Sequence, residues 1–185
     1  GCEGRAFRGD RAADGCGGPA VAAVAPVVAG RGAVPVGGGD VPGVNPAIRA
    51  ITIRALRDGY CVVGIRRGWA GLVDYVRAAN ADNRDHVQPL SEAVVNRAGR
   101  TGGTFLHTSR LRPSHLPRAR VPQHLSGYDE LINDITKDVL KNLEHIGVDV
   151  LIPIGGDDTL SYGKRLHDEG VNVVAIPKTM DNDVY

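Results

Sequence analysis

The chain has no apolar stretch long enough to cross a membrane. A spanning helix needs roughly 20 such residues, and Val21–Val28, though apolar, is short. That segment also lacks the charged flank and cleavage site of a secretory signal. An excess of one charge is missing too. Lysine plus arginine (22) balance aspartate plus glutamate (21) to a net +1, so no nucleic-acid or membrane partner is expected. Cysteine is scarce. Cys2, Cys16 and Cys61 are odd in number and fit no metal or redox spacing, which suggests reduced thiols in an intracellular protein. The six histidines are scattered, with no i, i+4 metal-binding pair. Methionine occurs once, at Met180, so Gly1 is not expected to be a translation start, and the chain reads as a piece open at both ends.

What is present suits one globular domain: 185 residues, 42% of them hydrophobic. Residues 1–32 are the exception. They are mostly Gly, Ala, Arg and Val without helical or alternating period, and read as a disordered linker, a targeting arm or an erroneous translation of GC-rich sequence. Arg8-Gly9-Asp10 spells an adhesion tripeptide, which chance explains in so Arg-, Gly- and Asp-rich a setting.

From Ala33 to Tyr185 the pattern changes. Ala33–Val36 reads as a short strand, followed by the loop Gly37-Gly-Gly-Asp-Val-Pro-Gly-Val-Asn45. Asn45 is the expected N-cap of a helix that opens at Pro46 and runs to about Asp58. Tyr60–Ile65 is a buried-type strand. A second glycine loop, Arg100-Thr-Gly-Gly-Thr104, leads to Arg110, and the proline- and arginine-rich Leu111–Pro122 reads as exposed loop. Ser126-Gly-Tyr-Asp129 fits a capping box for a helix carrying Ile132, Ile135, Val139, Leu143 and Ile146. Val148–Ile154 and Val171–Ile176 are expected strands, with a helix over Thr159–Glu169 between them. Strands alternating with helices predict an α/β fold: a Rossmann-like parallel sheet with helices on both faces.

In such a sheet ligands bind beyond the carboxyl ends of the strands. Three loops follow strands directly and should meet there: Gly37–Asn45, Gly155-Gly-Asp-Asp-Thr159 and Pro177-Lys-Thr-Met-Asp-Asn-Asp183. Glycine turns opening helices favour phosphate. Carboxylate beside polyphosphate needs a bridging cation, and Asp157 as a Mg²⁺ ligand resolves that conflict. Lys178 can neutralise phosphate, Thr179 can hydrogen-bond substrate, and an aspartate of the last loop can act as a base on an alcohol. Each loop also has a plainer reading, as a structural turn, a helix cap or a polar surface loop.

Taken together and in order, these loops resemble the N-terminal half of a 6-phosphofructokinase. The match adds Gly64-Ile-Arg-Arg-Gly-Trp-Ala-Gly-Leu72 and Gly102-Gly-Thr-Phe-Leu-His-Thr-Ser-Arg110, and runs over about Val36–Tyr185. The resemblance implies an incomplete N-terminal domain (33–185) of a two-domain enzyme. It further implies a cytoplasmic, homo-oligomeric glycolytic parent that phosphorylates fructose 6-phosphate. By the same resemblance Asp181 is the base, aided by Thr179 and Lys178. Gly38, Gly39, Arg110, Gly156, Asp158 and Thr159 surround the donor phosphates, Asp157 holds Mg²⁺, and Thr179, Asp181 and Asp183 meet the sugar phosphate. Trp69 falls where ATP-using members often carry an aromatic residue near the nucleotide. ATP-using members typically have glycine at position 158 and often at 178. Aspartate and lysine there resemble the pyrophosphate-dependent branch, so pyrophosphate is the favoured donor and ATP the alternative. A relative of NAD or lipid kinases and a non-catalytic phosphate- or nucleotide-binding paralogue are the competing readings.

Overall fold

The computed structural model describes residues 29–181. Residues 1–28 of the stretch read as low-complexity, with Cys2, Cys16 and Arg8-Gly9-Asp10, lie outside the described residues, as does the expected substrate contact Asp183.

β1 (Gly30–Pro35) begins inside the stretch read as low-complexity and sits mid-sheet. It pairs in parallel with β2 (Tyr60–Ile65) on one side and β6 (Val150–Leu151) on the other. Bridges from Val36 to Ile154 and from Leu151 to Val173 carry the sheet on to β7 (Ile154–Gly155) and β8 (Ile176–Pro177), themselves a parallel pair. The two C-terminal strands are thus shorter than the sequence suggests. Pro153, which has no N–H, sits where the expected Val148–Ile154 strand divides.

One edge departs from the all-parallel expectation. β3 (Val87–Leu90) runs antiparallel to β2. The connection does not cross the sheet. A six-residue helix, α2 (Trp69–Asp74), turns the chain back to the end it left, and Arg66 N–H donates to His86 O at 2.8 Å.

Alternation along the strands builds two cores. Ala33, Val63, Ile65 and Leu151 pack with Trp69 and Leu72 of α2, Val139, Leu143 and Ile146 of α4 (Thr136–Ile146), and Tyr162 and Leu166 of α5 (Asp157–Asp168). Val34, Val36, Val62 and Ile154 point to the other face, against Val44 and Ile48 of α1 (Val44–Arg57) and Val95 of α3 (Glu92–Ala98). Period-two side chains on strands covered on both faces require this split.

Two helix starts differ from expectation. Gly43, not Asn45, precedes α1, in the left-handed region. Asn45 is buried and acts at longer range: its Oδ1 accepts Phe105 N–H at 3.0 Å and its Nδ2 donates to Thr101 O at 3.1 Å. The expected capping box at Ser126–Asp129 does not form a helix start. Ile132 instead joins β5 (Ile132–Asn133), paired with β4 (Leu116–Pro117), and Asp134 accepts Thr136 N–H at 2.9 Å where α4 begins. Tyr128 is drawn to Asp138, which accepts its hydroxyl at 2.6 Å and an Arg77 N–H at 2.7 Å.

Gly68 fixes the entry to α2. Its φ of 55° and ψ of −132° lie in a region open to glycine, and a Cβ there would come within 2.4 Å of Val36 O. Gly68→Ala is expected to cost about 3 kcal/mol or more in urea denaturation. Gly103→Ala, with φ +73° and open space around it, should cost only about 1 kcal/mol. Equal losses at the two positions would contradict this assignment.

Candidate phosphoryl-transfer site

Main-chain hydrogen bonds gather the strand ends. Gly37 N–H donates to Ile154 O at 2.9 Å, Lys178 N–H to Gly155 O at 3.0 Å, and Gly38 N–H to Ser109 O at 3.1 Å. The three loops and the 109–111 segment therefore enclose one cleft of about 530 Å³ at the carboxyl ends of β1, β7 and β8. Gly38, Gly39, Arg110, Gly156, Asp157, Asp158, Thr159, Lys178, Thr179 and Asp181 all line it. Each of these positions was expected to be functional from sequence. A larger depression of about 760 Å³, lined by Arg49, Arg97 and Arg100, carries no carboxylate, so it supplies neither a base nor a metal ligand.

The residues differ in what they offer. α5 starts at Asp157 rather than Thr159, so Asp157 and Asp158 both occupy its first turn and are exposed. Main-chain N–H groups at that helix end favour anions. Thr159 is only 5% exposed. Its side chain is wedged between the main chains of Gly37 and Gly155, where a Cβ at either position would collide with it at 2.1 and 2.4 Å. Thr159 thus locks the β1 and β7 loops together, with little surface left for a ligand. Trp69 forms part of the cleft lining, yet is 2% exposed and packs edge-on to Tyr162 at 5.1 Å. The core encloses the ring, which is not open for stacking.

Lys178 is half-buried, and its Nζ donates to Gly39 O at 2.5 Å. Burial lowers its pKa from the usual lysine value, and Arg110 lowers it further, against the opposing pull of Asp40. Asp40 is itself fixed, accepting the Thr104 hydroxyl at 2.5 Å. Asp181 is exposed at the cleft, and Thr179 Oγ1 accepts its main-chain N–H at 2.9 Å.

Sequence reasoning missed two residues. One is Asp40, which tethers the glycine loop. The other is Arg112, whose guanidinium donates to the Asp158 carboxylate. An i, i+2 relation to Arg110 in an extended segment was the available signal.

The phosphofructokinase family model matches residues 31–185. The chain belongs to the phosphofructokinase family. A Corynebacterium efficiens protein named ATP-dependent 6-phosphofructokinase is 41% identical over 148 residues, 80% of this chain and 36% of its own length. A Dictyoglomus thermophilum protein named pyrophosphate–fructose 6-phosphate 1-phosphotransferase is 37% identical over 148 residues, 80% of this chain and 35% of its own. The fold matches a solved Pichia pastoris phosphofructokinase with a TM-score of 0.66 at 24% identity, over 91% of this chain and 18% of that one. This phosphofructokinase chain therefore spans about a third of the length of the curated relatives it matches. The match to this family over 31–185 sets aside the NAD- or lipid-kinase reading. No helix among the described residues is long and apolar enough to cross a membrane.

Proposed function

We propose that the protein carrying this chain transfers a phosphoryl group to the 1-hydroxyl of fructose 6-phosphate, with pyrophosphate as the preferred donor. One observation carries the proposal: a single cleft holds glycine-loop backbone, two cations and three carboxylates (Arg110, Lys178, Asp157, Asp158, Asp181). Phosphoryl transfer asks for little else beyond positioning and charge stabilisation.

The roles follow from placement. Gly38, Gly39 and Gly156 let the donor's phosphates approach the backbone, and Arg110 and Lys178 neutralise them. Asp181 takes the proton from the sugar hydroxyl as its oxygen attacks the terminal phosphorus, and phosphate departs. Thr179 steadies Asp181 by accepting its main-chain N–H; Asp183, outside the described residues, is given a sugar-phosphate contact by the family resemblance alone. Asp157 fits Mg²⁺: it is an exposed carboxylate with no ion pair among the described residues, and Mg²⁺ is usually held by one or two carboxylates plus substrate phosphates. Bound there, the ion would supply positive charge to the donor's oxygens.

Donor choice rests on positions 158 and 178. Asp158 occupies volume where a nucleotide's inner phosphate would pass, and Lys178 supplies charge to a compact donor. The buried Trp69 is consistent with a site that stacks no base. ATP is the second reading, favoured by relatives named as ATP-dependent. The parent is proposed to be a cytoplasmic homo-oligomer.

The full-length gene product should form fructose 1,6-bisphosphate from fructose 6-phosphate, Mg²⁺ and pyrophosphate, and lose that activity on chelation. No product with either donor would overturn the proposal. The 185-residue chain by itself is expected to be inactive in the same assay, since it spans about a third of its relatives.

A further inference from the structure

We infer that Arg112 is a positioning residue for donor recognition: it cancels the charge of Asp158 and leaves only its volume to act on the donor. The inference rests on the donor reading above. It concerns a residue that the family pattern did not single out.

Asp158 lines the cleft from the first turn of α5, and its carboxylate accepts from the Arg112 guanidinium. Arg112 is not part of the cleft lining, whereas Arg110, two residues before it, is. Arg112 thus pairs with a cleft carboxylate without itself forming part of the lining. The other nearby cations are engaged differently. Lys178 Nζ is bonded to Gly39 O, and Arg110 has no ion pair with Asp158 among the described residues.

The consequence is electrostatic. Pyrophosphate is a compact polyanion, and an uncompensated carboxylate beside it repels it. With Arg112 in place the pair is close to neutral, so Asp158 can bar a longer donor by bulk without repelling the short one. Both side chains are more than half exposed, at 56% and 63%, so the pair adds little to folding stability. Its loss should therefore register in donor affinity and leave the melting temperature unchanged.

A double-mutant cycle on the full-length gene product tests this, with calorimetric titration of magnesium pyrophosphate as the readout. Arg112→Gln should weaken binding about fivefold, while Arg112→Lys, which keeps the charge, should stay within about twofold. In an Asp158→Asn background, Arg112→Gln should change affinity by less than about twofold, because the carboxylate it served is gone. The same loss in both backgrounds, no loss in either, or a fall in melting temperature that accounts for the loss would overturn the inference. A wild type that binds ATP more tightly contradicts the donor reading alone. The cycle is then run with magnesium ATP, and its coupling still decides the role of Arg112. A wild type that binds neither donor overturns both.

Discussion

Replacing Asp181 with serine is expected to lower kcat for fructose 6-phosphate phosphorylation about a thousandfold, with KM values within about threefold of wild type. Asp181 is exposed at the cleft and makes no ion pair among the described residues. A short loop bond from its own N–H to Thr179 Oγ1 sets its main chain. Serine keeps that main-chain donor and removes only the proton acceptor, so the loss should fall on the chemical step rather than on binding. Steady-state kinetics on the full-length gene product would show this as a fall in kcat and kcat/KM by similar factors. A fall of less than about tenfold would remove Asp181 as the base. The same experiment separates an enzyme from a phosphate-binding paralogue, since a binder has no use for a base.

The second large effect is a change of donor. Asp158→Gly with Lys178→Gly should shift the ratio of kcat/KM for pyrophosphate over that for ATP by at least about a hundredfold toward ATP. Removing Asp158 opens the rim of the cleft at the start of α5, and removing Lys178 takes away a cation suited to a compact donor. Lys178→Gly has a second consequence, because Nζ also holds the glycine loop through Gly39 O. The single Lys178 variant should therefore lose pyrophosphate activity without gaining much with ATP. An unchanged ratio in the double variant would contradict the donor assignment. The charge on Lys178 also sets a pH limit. Burial and Arg110 lower its pKa, so donor affinity should fall, as pH rises, at a lower pH than an exposed lysine would impose.

Much of the site was legible because it is written locally. A strand that runs into a loop rich in glycine or carboxylate identifies a strand end at a sheet edge, and Gly37, Gly155 and Pro177 are all such ends. Parallel pairing then brings the loops together with no further information. What escaped was set by contacts between distant segments. Asn45 has the chemistry of a cap, yet partners across the fold, at Thr101 and Phe105, claim its side chain. Ser126–Asp129 has capping-box spacing, but the segment is not helical, and Tyr128 donates its hydroxyl to Asp138 across the fold. Thr159 looked like a phosphate ligand, and packing between two glycines turned it into a wedge. Arg112 was one arginine among many until the fold set it against Asp158. Trp69 kept its place near the cleft, and the core closed over its ring.

One comparison reads directly which donor the charged rim of the cleft selects. Steady-state kcat/KM of the full-length gene product is measured with fructose 6-phosphate and Mg²⁺, once with pyrophosphate and once with ATP. A preference for pyrophosphate of at least about a hundredfold is the predicted result. Equal use of the two donors, or a preference for ATP, would contradict it.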